Sequence, residues 1–386
     1  MSSSDRWPPL GVSVTLLGLY VVQGFSFALA NGSLPVLLAT RASFSLLALL
    51  NLVSVPYTLK GLLAPLLDVY FIPSLGRRKS WIIPCTLLSG AVLSLLSQFI
   101  ESLVQTGSVR TISSALFAAV LCLAAQDVAV DAWATELLPR RHLAFASVFQ
   151  TLGMSLGNLV GHPLLLLATQ TTSSPFTLRH ALLGGGLAHL AVAVAAALAS
   201  DPSESRRPSL REVCASMGRV CTARQTALVA GMCAIQRVGV AVLDGCAEIF
   251  YMRLPGAEAE QARLWRNVGR GREAGWVASI AAAHALGRDE CPRQLHRMLL
   301  RGFGLLLFCG CTIPCALLQH TVGSWGSSVL LIGLFSVYAV ANKLWWTVQG
   351  ALFNQFVVDA HDQQVCCTAE IGSCPGAIVF ERDLLT

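Results

Sequence analysis

Six apolar runs follow one another along the first half of this chain, over Leu10–Ala30, Phe44–Leu67, Trp81–Glu101, Thr111–Leu138, Leu143–Ala168 and His180–Ala199. Each reaches the ~20 residues that a helix needs to cross a bilayer. Short joints separate them, as between antiparallel neighbours. In lipid every backbone N–H and C=O must find a partner inside the chain, so such runs fold as helices or closed barrels. Runs of this length and continuity read as helices, and an all-α membrane bundle is the expected fold class. Composition agrees. Of the 386 residues 54% are hydrophobic and 12% charged, about half the charged share of a globular domain. The first run follows a polar start with one Arg and shows no small-residue cleavage site. It reads as a first span and not a signal peptide.

Charge is distributed by side. One set of joints holds Arg77, Arg78 and Lys79, then Arg140 and Arg141, then Arg206, Arg207, Arg211, Arg219 and Arg224. The opposite set holds only Arg41, Arg110 and Arg179. The excess of basic residues on cytosolic loops places the rich set, and the N-terminus, in the cytosol. The net charge of +6 is thus topological, with no stripe suited to nucleic acid. The expected organisation is a cytosolic start at 1–9, a six-helix half at 10–199, and a cytosolic linker at 200–224. A second, partial half follows at 225–358, with an Arg-rich, non-membrane insert at 252–297 and a polar tail at 359–386. Six spans, a basic linker and further spans outline a two-half carrier. The insert conflicts with the charge rule if the run Gln225–Tyr251 leads outward, and the sequence leaves that topology open.

Against this apolar background a few polar residues stand out. The string QDVAVDAWA sets Asp127 and Asp131 four apart, on one helix face. A charge at membrane depth costs at least ~2.5–3.5 kcal/mol and survives facing a bundle interior or a wet cavity. The pair reads either as a proton-carrying site or as a network that pairs with loop arginines. Lys60 lies two helical turns before Asp68, ~12 Å along a continuous helix. Asp68, Gly76, Arg77 and Arg78 are expected to form a cytosolic gate, an acidic helix end latched to a Gly-Arg-Arg turn; the plainer reading of the arginines is topology alone. Arg237, Asp244 and Glu248 fall within about 40° on one helix. They line a cavity or simply fasten helices. Lys343 lies deep in a late run. With Lys60 and Arg237 it offers cations for an anionic substrate. Gly153, Gly157 and Gly161 recur every four residues and read as a close helix-packing face.

Other features carry less. The sequon Asn31-Gly32-Ser33 sits hard against a helix end. Thirteen cysteines are scattered, and Cys366, Cys367 and Cys374 lack a zinc pattern. No metal and no cofactor is expected. Nothing resembles a phosphate loop, a nucleophile elbow or a zinc-protease motif. An enzyme is therefore not expected; for a membrane acyltransferase, His162 and His189 have no nearby catalytic partner.

The strings LKGLLAPLLD (Leu59–Asp68), GRRKSW (Gly76–Trp81) and AAQDVAVDAWA (Ala124–Ala134), together with the glycines of the fifth run, resemble the acetyl-coenzyme A transporter family of the major facilitator superfamily. Bacterial muropeptide permeases are related to it. The resemblance covers roughly residues 10–200, with VAVLDG (Val240–Gly245) and FNQFVVD (Phe353–Asp359) as later echoes. It implies a twelve-span bundle of which the second half here is truncated or disrupted. It also implies import of acetyl-CoA from cytosol into the endoplasmic reticulum lumen by alternating access, as an integral multi-pass protein of that membrane. The expected partners are acetyl-CoA or a similar anion and the lipid bilayer, with self-association left open and no nucleic acid. The alternatives are a proton-coupled symporter of another solute, as in the permeases, and a non-transporting relative.

Overall fold

A computed structural model describes residues 8–38, 41–139, 142–165, 176–200 and 208–222, with isolated positions 231, 337, 338 and 341. The expected second half, its Arg-rich insert and the tail lie outside these. The described elements are helical. In chain order they are α1 (Leu10–Ala28), a π-helical segment (Leu29–Ser33) and α2 (Leu34–Leu38). Then come α3 (Phe44–Leu52), α4 (Val55–Thr58), a 3₁₀ turn (Lys60–Leu62) and α5 (Ala64–Val69). Three long pieces follow: α6 (Lys79–Gln105), α7 (Val109–Leu137) and α8 (Ala144–Leu159), which runs on into a π segment (Val160–Leu164). Last are α9 (Leu178–Leu198) and α10 (Leu210–Thr222). Four stretches, Leu10–Ser33, Lys79–Gln105, Val109–Leu137 and Leu178–Leu198, are each long and apolar enough to cross a membrane.

The second run departs from the sequence expectation of one continuous helix. Pro56 and Pro65 each occupy the first turn of a new helix, α4 and α5. Proline lacks the N–H that would continue a ladder and fits where a ladder begins. Between them the chain passes through three-residue bonds, Leu62 N–H to Leu59 O at 2.9 Å and Leu63 N–H to Lys60 O at 3.0 Å. Lys60 therefore sits on a turn, not two turns along one rod from Asp68. Irregular backbone at membrane depth is tolerated where protein or a wet cavity covers it.

Three pairings organise the described bundle. α6 packs along α7 and α9, and α1 packs along α8. The α1–α8 contact is close because glycines line it. A Cβ on Gly153 would meet Leu17 O at 2.9 Å, and one on Gly161 would meet Phe25 O at 2.6 Å. At Gly157 it would overlap Val21 O, with Phe25 N at 2.5 Å. Across the interface a Cβ on Gly24 would strike the Met154 backbone. The two π segments also meet: Ser33 Oγ donates to Gly161 O at 2.7 Å and lies 3.4 Å from His162 Nδ1. The sequon falls inside the first of them. Asn31 donates to Phe27 O at 3.0 Å and accepts from Ser54 Oγ at 2.7 Å, so its amide is engaged within the bundle.

Among the described residues an apolar core holds a minority of buried polar side chains, and large apolar side chains also face outward. Gln23, Gln126, Asp127, Thr86, Ser89 and His189 are buried, while Leu88, Leu95, Phe99, Leu187, Val194 and Leu198 are exposed. Exposed apolar side chains, with the few polar ones turned into the bundle, suit a lipid-facing surface. The helix ends form two rims. Arg78 bonds to Asp68 beside the end of α5 and to Glu136 near the end of α7. The buried Lys79 amino group caps the last carbonyls of α9, at Ala197 O (2.9 Å) and Ala199 O. At the opposite rim Arg179, opening α9, donates to Gln98 on α6 at 3.1 Å.

Candidate functional site

The interior charges gather where the broken second run meets α7. Asp127 and Asp131 share a face of α7, and Lys60 reaches both from its turn. The Lys60 ammonium is bonded to Asp127 Oδ2 and lies 3.6 Å from Asp131 Oδ2. It also lies 5.7 Å from the centre of the Tyr57 ring, a cation–π distance. Tyr57, in α4, and Lys60, opening the 3₁₀ turn, are three apart, and both elements pack against α7.

The two carboxylates differ. The Asp127 side chain is 3% exposed and the Asp131 side chain 38%, with Lys60 at 34%. Asp131 Oδ1 accepts from Tyr20 OH on α1 at 2.8 Å and from Gln150 Nε2 on α8 at 2.9 Å. Next to Asp127, Gln126 Oε1 accepts from Gln23 Nε2 at 3.0 Å, and both glutamines are buried. Polar side chains on α1, at Tyr20 and Gln23, thus meet polar side chains on α7. Asp127 is closed off, while Asp131 and Lys60 are partly exposed.

The second charged group is the rim latch. Arg78 donates to Asp68 Oδ1 at 2.6 Å and to Glu136 Oε1 at 2.9 and 2.7 Å, while Arg77 stands 4.0 Å from Asp68. Burial alone would loosen the Arg78 proton; Glu136 and Asp68 outweigh it, so its proton is held more tightly than usual. The turn before Arg78 needs Gly76, whose φ of 84° is left-handed. Ser80 Oγ ties the turn to Ile72 and Gly76, and Trp81 Nε1 donates to Tyr70 O at 2.7 Å.

Of the residues singled out from sequence, Lys60, Asp127 and Asp131 come together, and Asp68, Gly76, Arg77 and Arg78 come together. The α7 carboxylates pair with Lys60, while the loop arginines pair with Asp68 and, through Arg78, with Glu136. Gly153, Gly157 and Gly161 face α1. Arg237, Asp244, Glu248 and Lys343 lie outside the described residues. Sequence reading missed Tyr20, Gln150 and Glu136. Tyr20 and Gln23 did carry a signal, as polar side chains three apart in an apolar run. Among the described residues no cluster of His, Cys, Asp or Glu is arranged to hold a metal ion.

Comparison with known proteins gives this geometry a setting. Residues 13–179 match the family model of acetyl-coenzyme A transporter 1. An uncharacterised Schizosaccharomyces pombe protein is 37% identical over 156 residues, 40% of this chain and 30% of its own length. An Escherichia coli anhydromuropeptide permease is 30% identical over 155 residues, again 40% of this chain and 31% of its own. The matched stretch therefore spans about a third of these relatives. In fold, the chain is similar to an Escherichia coli fucose:proton symporter, at a TM-score of 0.50 and 16% identity over 92% of each chain. It is similar also to a bacterial homologue of the iron transporter ferroportin, at 0.50 and 15%, covering 92% of this chain and 90% of that one. The permease, the symporter and the ferroportin homologue carry the names of transport proteins. Over residues 13–179, the part that carries both charged clusters, the chain matches the family of acetyl-coenzyme A transporter 1, within a major facilitator-type helical bundle.

Proposed function

We propose that the protein moves an anionic solute of the acetyl-CoA class across a membrane by alternating access, with Lys60, Asp127 and Asp131 on its path. The observation that carries this reading is the Lys60 cluster itself. A cation and two carboxylates sit inside an apolar bundle, and two of the three are partly exposed. A cluster meant only to fasten helices needs no such exposure, and a charge inside a membrane bundle marks a solute or ion pathway. The match to the acetyl-coenzyme A transporter 1 family supports the substrate class.

In this reading Lys60 attracts the anion, and the carboxylates neutralise the amine when the site is empty. Arg237, Asp244, Glu248 and Lys343 complete the path from the second half. The rim formed by Asp68, Gly76, Arg77 and Arg78 is the cytosolic gate, and Glu136 joins it. The N-terminus faces the cytosol, and the host is the endoplasmic reticulum membrane. A second reading is proton-coupled symport of another solute through the same cluster; the permease relative supports the other solute, and the two carboxylates offer the proton site.

The test is uptake of labelled acetyl-CoA into proteoliposomes. Wild type is expected to load the vesicles, and Lys60→Ala and Asp127→Asn to lose at least tenfold in rate. Equal uptake by all three would remove the site assignment. Uptake of a muropeptide in place of acetyl-CoA would favour the second reading.

A further inference from the structure

Asp131 is held in a way that Asp127 is not. Both donors that reach it, Tyr20 OH and Gln150 Nε2, bind the same oxygen, Oδ1. They come from different helices, α1 and α8, whose mutual packing is fixed by the glycine interface. The other oxygen, Oδ2, has only Lys60, at 3.6 Å, beyond hydrogen-bond reach. Asp127 is the reverse: its Oδ2 is bonded to Lys60, and its side chain is buried at 3% exposure. The more exposed carboxylate therefore has one oxygen clamped by two neutral donors and one oxygen that meets only the longer Lys60 ion pair.

The charges of the cluster set a second condition. Lys60 contributes +1, and Asp127 and Asp131 contribute −1 each, so the set carries −1 when all are ionised. A net negative site repels an anion. A proton taken from solvent onto Asp131 Oδ2 leaves both Oδ1 hydrogen bonds intact and brings the set to zero. Lys60, still bonded to Asp127, then has a share of its charge free for an incoming anion.

The geometry points to Tyr20 and Gln150 as a positioning clamp that reserves Asp131 Oδ2 for an exchangeable proton and links proton uptake to anion binding at Lys60. The anion-binding half rests on the transport reading above; the clamp does not. Among the described residues the titratable groups around Asp131 are Tyr20 from α1, Tyr57 and Lys60 from the broken run, and Asp127 from α7. By linkage, a proton that favours the anion must be favoured by it in return.

The test is a pH titration of the protonated-carboxyl infrared band, on the purified full-length chain in lipid, without any transport step. Asp131→Asn is expected to remove one titrating band; Asp127→Asn is expected to keep it and move its midpoint to lower pH. Tyr20→Phe and Gln150→Leu each remove a donor to the ionised form, so each is expected to raise the midpoint by about one pH unit. These two variants retain the carboxylate, so a misfolded Asp131→Asn would not end the test. Acetyl-CoA is expected to raise the wild-type midpoint. A band that survives Asp131→Asn, or a midpoint unmoved in both clamp variants, would overturn the assignment. Clamp shifts without an acetyl-CoA shift would uphold the clamp and sink the acetyl-CoA reading.

Discussion

At the residue scale the Lys60–Asp127 pair is the tightest commitment in the bundle. Asp127 is closed off from solvent, and Lys60 is its only cationic partner among the described residues. Removing one member of a buried pair leaves the other charge uncompensated, whereas removing both by apolar residues of similar size is far milder. Lys60→Met is therefore expected to destabilise the protein by ~2–3 kcal/mol, a value reduced for the third of Lys60 that water reaches. The double variant Lys60→Met, Asp127→Leu is expected to recover most of that loss. Thermal melting in detergent checks both. A single variant as stable as wild type would mean that the pair is not formed. The pairing itself was only half legible in the sequence. The four-residue spacing of Asp127 and Asp131 fixed a shared face, because helical periodicity is local. Their partners Tyr20 and Lys60 lie 111 and 67 positions away, and nothing local reports such distances.

At the scale of elements the α1–α8 contact and the broken second run define the site. Gly153, Gly157 and Gly161 let two backbones approach closely, which brings Gln150 and Tyr20 to the same carboxylate. A side chain at Gly157 has no room to relax, since backbone atoms of Val21, Gly24 and Phe25 surround it. Gly157→Leu is thus expected to cost at least ~2 kcal/mol, as overpacking against backbone does. A melting temperature unchanged in that variant would contradict the interface. The glycine repeat was readable because its period matches the helix. The break at Thr58–Leu63 was not foreseen, although Pro56 and Pro65 were in plain view. Hydropathy stays high through both prolines, so the run looks like one span. The ladder is interrupted by missing N–H groups, which hydropathy does not register.

At the scale of the whole molecule the described helices turn apolar side chains outward, gather Lys60, Asp127 and Asp131 between them, and are tied at their ends at two rims. The six-run pattern and the low charge content were enough to expect the all-helical membrane bundle. Which side chains face inward became visible only once Gln23, Gln126 and His189 were seen buried and leucines of α6 and α9 exposed. The central idea is that water and an anion reach Lys60 from outside the bundle. The measurement closest to it is labelling of Lys60→Cys, in sealed vesicles, by a membrane-impermeant charged thiol reagent, with the wild-type chain as background. Rapid labelling that acetyl-CoA slows several-fold is the expected result. A cysteine at that position that never reacts from either side of the membrane would contradict the whole scheme.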